Sequence, residues 1–349
     1  MLALSAHPLG INISAYTGSA QDPAAQVCGS ITLGALTDEA QLKNFLKNLD
    51  VVTFESEFVD SGKLAKCLLP KTYVFPNLTA IETIQDRRTQ KELLNRFKIP
   101  TSHWLPVDHA EDLKKAETHF AQGFVLKQRR FGYDGYGTFV FKNGKAPIDV
   151  LKKTNVGFIA EAFVPFKREL ATSFVRSRSG AFLSLPLVES VQVNSRCFSV
   201  QGPIRHRGIA KIERAFKKLM SELDYVGILA VELFDTGKGL LVNELAPRVH
   251  NSAHYSMNGL TCSQFEYHLR AGLDLPLPKI ELIEPGFAMV NLLGEGGDLQ
   301  LSYKPHGHLH WYGKSENRPG RKIGHINTTD RTPAAALKKA LKWRKDFSL

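Results

Sequence analysis

Two acidic residues set into apolar strands constrain this chain more than any other feature. Leu229-Ala230-Val231-Glu232-Leu233-Phe234 is followed by Asp235-Thr236-Gly237-Lys238-Gly239 and then by Leu240-Leu241-Val242-Asn243-Glu244. Apolar runs on either side of five turn residues with two glycines predict an antiparallel hairpin. With Phe234 opposite Leu240, Glu232 falls opposite Val242, and Glu244 lies diagonally beside it on the same face, about 7–8 Å away. Two such acids are costly in apolar strands unless a cation sits between them. Hard oxygen donors with no Cys or His beside them favour Mg2+ or Mn2+, with Asn243 and Asn251 as further oxygen ligands. The competing reading puts Glu232 on a solvent face, paired with a lysine.

A glycine loop, Phe131-Gly132-Tyr133-Asp134-Gly135-Tyr136-Gly137, lies between the apolar runs 124–127 and 138–141, just after Lys127. Its glycines let backbone N–H groups approach phosphate oxygens, and Lys127 adds a point charge. A plain hairpin turn explains the same glycines. The metal-type carboxylate pair further along favours the phosphate reading, because nucleoside triphosphates need both parts.

Charge matters at the C-terminal end. The chain carries a formal net charge of +11, and residues 301–349 hold 11 Lys/Arg against 3 Asp/Glu. Leu309-His310-Trp311-Tyr312-Gly313-Lys314 and Arg318-Pro319-Gly320-Arg321-Lys322 concentrate that excess. Three readings compete: a solvated basic surface, a nucleic-acid stripe with stacking aromatics, or a compact anion site. One short turn suits a monophosphate better than a polymer.

Around these motifs the chain of 349 residues reads as α/β first and α+β afterwards. Asp50-Val51-Val52-Thr53-Phe54, ending at Glu55 and Glu57, and Tyr73-Val74-Phe75 read as buried parallel strands. A helix is expected from Asp86 to before Pro100, with Leu93, Leu94 and Phe97 on one face. Another carries Ile212, Phe216, Leu219, Met220 and Leu223, and a last one starts at Thr332-Pro333. No apolar run reaches the ~20 residues that span a bilayer, and the opening Met1-Leu2-Ala3-Leu4 lacks a basic leader. Cys28, Cys67, Cys197 and Cys262 form no CxxC pair, which suits a reducing cytoplasm. No GxSxG elbow, Walker motif or dinucleotide fingerprint appears, so acyl-enzyme chemistry is not expected.

Further segments carry a family resemblance. Gln85-Asp86-Arg87 with Gln90-Lys91, Ile99-Pro100-Thr101, the loop 131–137, Val164-Pro165-Phe166 with Arg168-Glu169-Leu170, and Tyr225-Val226-Gly227 are among them. So are Ser263-Gln264-Phe265-Glu266, Met289-Val290-Asn291-Leu292 and the stretch 310–325. The most diagnostic is Asn243-Glu244-Leu245-Ala246-Pro247-Arg248-Val249-His250-Asn251-Ser252. In this order, and over the whole length, they resemble the N5-carboxyaminoimidazole ribonucleotide synthetases, the ATPase subunits of phosphoribosylaminoimidazole carboxylase, in the ATP-grasp superfamily.

The resemblance implies an α/β plus α+β fold in three parts. A Rossmann-like N-terminal lobe lacking its first strand would span 1–80, a two-part ATP-grasp 81–275, and a small β-rich C-terminal domain 276–349. It implies that ATP phosphorylates bicarbonate and that the amine of 5-aminoimidazole ribonucleotide takes up the carboxyl group. Mg2+ or Mn2+ would assist, biotin would not be needed, and a cytoplasmic homodimer with no nucleic-acid or membrane partner is expected.

Carried over by position, Arg87 and Lys127 would meet ATP phosphates under the loop formed by Gly132, Tyr133, Asp134, Gly135 and Gly137. Tyr133 and Asp134 would also stand near the reacting groups. Glu161, Ala162, Phe163 and Val164 would hold adenine through backbone groups, and Glu169 the ribose. Asn243 would join Glu244 at ATP, and Glu232 and Glu244 would hold the metal. Arg248 and Asn251 would flank bicarbonate. Glu55, Lys314 and Arg321 would bind the ribonucleotide.

Three departures stand out. The family's opening strand and glycine-rich turn have no counterpart ahead of Met1. Tyr136 stands where the family has Lys or Arg, and Phe58 where it tends to have Asn. The rival readings are a formate-dependent glycinamide ribonucleotide transformylase, a non-catalytic or impaired ATP-binding paralogue, and a nucleic-acid binder.

Overall fold

The computed structural model describes residues 1–132, 135–297 and 307–347. Its N-terminal lobe begins with α1 (Leu2–Ala6) and continues through β1 (Ser14–Thr17), β2 (Ser30–Leu33), α2 (Glu39–Leu46), β3 (Val51–Val52), α3 (Ser61–Cys67), β4 (Tyr73–Val74) and α4 (Leu78–Gln85). Asp38, Asp60 and Asn77 cap α2, α3 and α4, each accepting a backbone N–H of the first turn. The strands form two separate parallel pairs, β1–β2 and β3–β4, and among the described residues no strand joins β1 to β3. The predicted strand around Val51 is therefore only two residues long and half-buried, with one hydrogen-bonded neighbour. Leu42, Leu46, Phe54, Leu64 and Ile81 fill the small core beneath.

Next come α5 (Arg87–Arg96), β5 (Trp104–Val107), α6 (Ala110–His119), β6 (Phe124–Gln128), β7 (Thr138–Phe141) and β8 (Phe158–Ala162). The helix expected after Asp86 starts there because the Asp86 carboxylate accepts the Arg88 N–H at 2.9 Å. It ends at Phe97, ahead of Lys98 at φ +53°. Strands β5 to β8 form an antiparallel sheet in the order β5-β8-β6-β7, and α6 covers one face.

The second half is built on β9 (Arg168–Arg176), β10 (Phe182–Ser184), β11 (Val188–Val193), β12 (Arg196–Gly202), α7 (Ile209–Glu222), β13 (Gly227–Asp235) and β14 (Leu240–Ala246). Then follow α8 (Ser256–Gly259), α9 (Gln264–Gly272), β15 (Gly286–Leu293), β16 (His308–Trp311), β17 (Lys322–Asp330) and α10 (Pro333–Lys345). Helix α7 buries Ile212, Phe216, Leu219 and Met220, the stripe expected of a 3.6-residue period. Thr332 caps α10 by accepting the Ala335 N–H, with Pro333 in the first turn.

One sheet runs β14-β13-β9-β11-β12-β15-β17-β16, with β10 beside β9. It continues through the boundary expected at residue 276. The two halves of the grasp meet where the Val242 N–H donates to the Pro100 carbonyl at 2.7 Å, and the Thr101 hydroxyl donates to the Val242 carbonyl at 2.7 Å. That seam brings β14 against the four-stranded sheet and opens a cleft between them. No helix among the described residues is long and apolar enough to cross a membrane.

Candidate functional site

The hairpin forms, but in a different register from the one expected. Asp235 pairs with Leu240, Phe234 with Leu241 and Leu233 with Val242; a bulge then places Glu232 directly opposite Glu244. Thr236 closes the turn through its N–H, which donates to the Gly239 carbonyl at 3.0 Å, so the loop is one residue shorter than anticipated. Asn243 is the extra residue of the bulge. The diagonal placement of Glu244 is thus corrected to a facing pair. Facing side chains stand closer, with Cβ atoms about 4.5–5.5 Å apart.

Burial, then the carboxylates of Glu244 and Glu169, lift Glu232 to about 7, against the pull of Lys127 and Lys322. An acid whose proton affinity is raised by a facing carboxylate suits a divalent cation. Among the described residues no three His, Cys, Asp or Glu side chains gather into an all-protein cage. Two carboxylates plus ligands from water and phosphate are the arrangement Mg2+ ordinarily takes.

Cations already surround the pair. Arg87 donates from Nη2 to Glu244 Oε1 at 2.7 Å and from Nη1 to the Gln128 carbonyl at 2.9 Å. Lys127 Nζ stands 2.8 Å from Asn243 Oδ1 and 2.9 Å from Glu161 Oε1. Lys91, 1% exposed, donates to Glu161 Oε2 at 2.9 Å and to the hydroxyls of Thr101 and Ser102. Ser102 also donates to Glu161. Burial by itself would raise the Glu161 carboxyl, yet Lys127, Lys91 and Ser102 hold it far below the usual range. Its side chain therefore anchors the two lysines.

A cleft of about 680 Å³ holds most of the residues expected from sequence. Its lining includes Arg87, Lys127, Gly132, Gly135, Glu161, Ala162, Phe163, Val164, Glu169, Glu232, Asn243 and Glu244. Glu55, Arg248 and Asn251 line it as well. Burial raises Glu169 above the usual carboxyl range, opposed by a hydrogen bond from Gln192 and by Lys127. Gly137, at φ +72°, accepts the Gln128 N–H on its carbonyl at 2.7 Å, closing the glycine loop onto β6. Tyr133 and Asp134 lie outside the described residues.

Arg248 binds Glu57 through both carboxylate oxygens, Nη2 donating to Oε1 at 3.0 Å and Nε to Oε2. Burial brings Arg248 down to about 10. Asn251 is held by Asn291 in a reciprocal amide pair of 3.0 and 2.7 Å, and Asn291 also donates to the Cys197 carbonyl at 2.8 Å. His250 Nε2 lies 3.8 Å from Glu232, and burial, Arg248 and Lys322 keep its ring neutral. Glu55 accepts the Leu2 N–H at 3.1 Å.

The basic C-terminal turn is arranged differently from the expected four-cation cluster. Among its residues, Lys322 lines the cleft, while Lys314 and Arg321 are not part of its lining. Lys314 donates to the Lys322 carbonyl at 2.8 Å, and Arg321 and Arg318 both pair with Glu316, at 3.1 and 2.7 Å. Glu316, one of the three acids in residues 301–349, thus pairs with two of the arginines there. Sequence reasoning missed Glu57, Lys91 and Asn291 as site-building residues. Glu57 had one signal, its spacing of two from Glu55 at a strand end. The acid that pairs with Lys91 and the amide that pairs with Asn291 are 70 and 40 positions away in the chain.

Three family models match the chain in succession. The ribonucleotide synthetase preATP-grasp domain matches residues 1–85, the ATP-grasp domain 92–265, and the phosphoribosylaminoimidazole carboxylase C-terminal domain 288–339. The chain is 39% identical over 340 residues to the N5-carboxyaminoimidazole ribonucleotide synthase of Synechococcus elongatus, covering 93% of this chain and 85% of that one. Identity to the Vibrio vulnificus enzyme of the same name is 36%, covering 94% and 87%. Among solved structures, N5-carboxyaminoimidazole synthetase from Staphylococcus aureus complexed with ADP superposes with a TM-score of 0.89 at 29% identity, covering 98% of this chain and 93% of that one. The Aspergillus clavatus synthase in complex with ADP and 5-aminoimidazole ribonucleotide gives 0.86 at 29% identity, covering 99% and 94%. With its three-part order and its carboxylate-lined cleft, this chain belongs to the N5-carboxyaminoimidazole ribonucleotide synthase family of ATP-grasp proteins.

Proposed function

We propose that the chain is an ADP-forming carbon–nitrogen ligase of purine (IMP) biosynthesis. It carboxylates 5-aminoimidazole ribonucleotide to its N5-carboxyamino form at the expense of ATP, with bicarbonate as the carboxyl source. The observation that carries this reading is the facing pair Glu232–Glu244, with Arg87 and Lys127 beside it, in a cleft that Arg248 also lines. The relatives' names supply the substrate, and the charges in the cleft supply a physical reason for it.

In this reading a bicarbonate oxygen attacks the γ-phosphorus of ATP, the bond to the β-phosphate oxygen breaks, and ADP leaves carboxyphosphate behind. The ribonucleotide amine then bonds to the carboxyl carbon, phosphate departs with the C–O electron pair, and the amine proton is lost. A divalent ion, when bound, neutralises phosphate charge, and Glu232 and Glu244 are the residues that would hold it. Lys127 and Arg87 offset charge on the transferring phosphoryl group, each such contact being worth ~3–4 kcal/mol by comparison with oxyanion-hole donors. Ala162, Phe163 and Val164 seat the adenine, and Glu169 takes the ribose hydroxyls. Arg248 holds bicarbonate, and Asn251, fixed by Asn291, stays at the reacting centre without reorganising. In the same reading Tyr133 and Asp134 act on the reacting groups, and Glu55, Lys314 and Arg321 bind the ribonucleotide.

The same reading includes a cytoplasmic homodimer and functional parts bounded at 1–80, 81–275 and 276–349. ADP release is the test. It should require both bicarbonate and 5-aminoimidazole ribonucleotide for full rate. Release that answers instead to formate and glycinamide ribonucleotide, or ATP binding with no turnover, would overturn it.

A further inference from the structure

The loop that carries Glu57 lines the cleft through Glu55, Ser56, Glu57 and Phe58. Its backbone is fastened to the end of α4: the Gln85 amide, with its nitrogen turned towards the loop, donates to the carbonyls of Glu57 at 2.8 Å and Val59 at 3.2 Å. The Phe58 N–H donates to Ser56 Oγ at 3.2 Å, which fixes the turn between them. From this short anchored segment the Glu57 carboxylate points to Arg248, while the Phe58 ring lies against Phe131, with centroids 6.0 Å apart at 50°. Phe131 opens the glycine loop at φ +65°, a conformation costly for a bulky residue unless its surroundings hold it. On its other side the loop is pinned at Gly132, where a Cβ would stand 2.6 Å from Arg87 Nη1, and Arg87 is the residue that holds Glu244.

We propose that Phe58 is a positioning residue that couples the ribonucleotide side of the cleft to the phosphate loop, through its ring contact with Phe131. Resting on the function proposed above, the argument is mechanical. Glu57 and Phe58 are consecutive and share one anchored turn, so whatever engages Glu57 and Arg248 also sets the Phe58 ring. That ring in turn sets Phe131, and with it the start of the loop beside Arg87. Ribonucleotide binding thereby favours the loop geometry needed at ATP. The departure noted at position 58 is then a wiring choice in which an aromatic ring replaces a polar contact.

The test measures ADP release from Mg2+-ATP and bicarbonate, with and without 5-aminoimidazole ribonucleotide, in the full chain. In Phe58→Ala the ratio of stimulated to unstimulated release should fall roughly threefold to tenfold, the range one aromatic pair supports. Phe58→Tyr, which keeps the ring, should restore the wild-type ratio. Adding Phe131→Ala to Phe58→Ala should lower the ratio no further, because one contact is being removed twice. A purely structural role would lower both rates in proportion and leave the ratio unchanged. An unchanged ratio in Phe58→Ala, or losses that add in the double variant, would overturn the coupling alone. A wild-type protein that shows no stimulation would instead overturn the function on which the coupling rests.

Discussion

Glu232 stands directly across the β13–β14 ladder from Glu244, and the bulge at Asn243 is what puts it there. Like charges facing each other across a ladder destabilise it. The arrangement persists because Arg87 takes Glu244 at 2.7 Å, while Glu232 holds its proton up to about 7.

Stability without metal should therefore depend on pH at this residue. The Glu232 carboxyl is raised from 4.5 to about 7 by folding, so its protonated form is the one the native state tolerates. Its contribution is favourable below the unfolded value and is lost as the pH rises through about 7. Urea unfolding of the metal-free protein should show wild type losing ground to Glu232→Gln between about pH 5 and pH 8. A gap that stays constant over that interval would contradict the assignment.

Lys91 and Glu161 make the opposite prediction. Replacing Lys91 by Met leaves a buried carboxylate with one cation fewer, and breaking such a pair costs about 3–5 kcal/mol. Glu161 is depressed from 4.5 by its cations, so that stabilisation is present above the unfolded value and fades as the pH falls below it. The wild-type advantage in urea midpoint should be large at neutral pH and narrow in acid.

Asn291 touches Asn251 and lies beyond the cleft lining. Asn291→Ala should leave the KM for ATP within about twofold and lower kcat by about tenfold, since it removes orientation and leaves charge intact. Equal losses in binding and turnover would assign Asn291 to general packing.

Breaking the contact between Glu57 and Arg248 should act on the other substrate. Glu57→Gln keeps the shape but removes the charge-assisted bonds, which are roughly twice as strong as neutral ones. An increase of about tenfold in the KM for bicarbonate, which Arg248 is proposed to hold, with the KM for ATP unchanged, is expected from steady-state kinetics.

Local patterns in the sequence located the parts of the fold that rest on local physics. The cap at Asp86, the stripe on α7, the Thr332-Pro333 start of α10 and the strand–loop–strand around residues 124–141 all depend on neighbours within a few positions. The bulge escaped because a ladder register is decided by both strands and the turn together, and one shorter turn shifts every pairing. Glu57 meets Arg248 across 191 positions, and Lys91 meets Glu161 across 70. No periodicity marks such pairs; only the folded chain brings them together. The pairing within the basic C-terminal stretch was not legible for a related reason, since counting charges does not show that Glu316 pairs with both Arg318 and Arg321.

Titration of Mn2+ into the protein with ATP, read by the loss of the free-ion EPR signal, bears most directly on the paired carboxylates. Wild type should bind Mn2+ in an ATP-dependent manner, and Glu232→Gln and Glu244→Gln should each weaken that binding by about 100-fold while both proteins remain folded. Equal Mn2+ affinity in all three proteins would show that the two acids do not hold the metal.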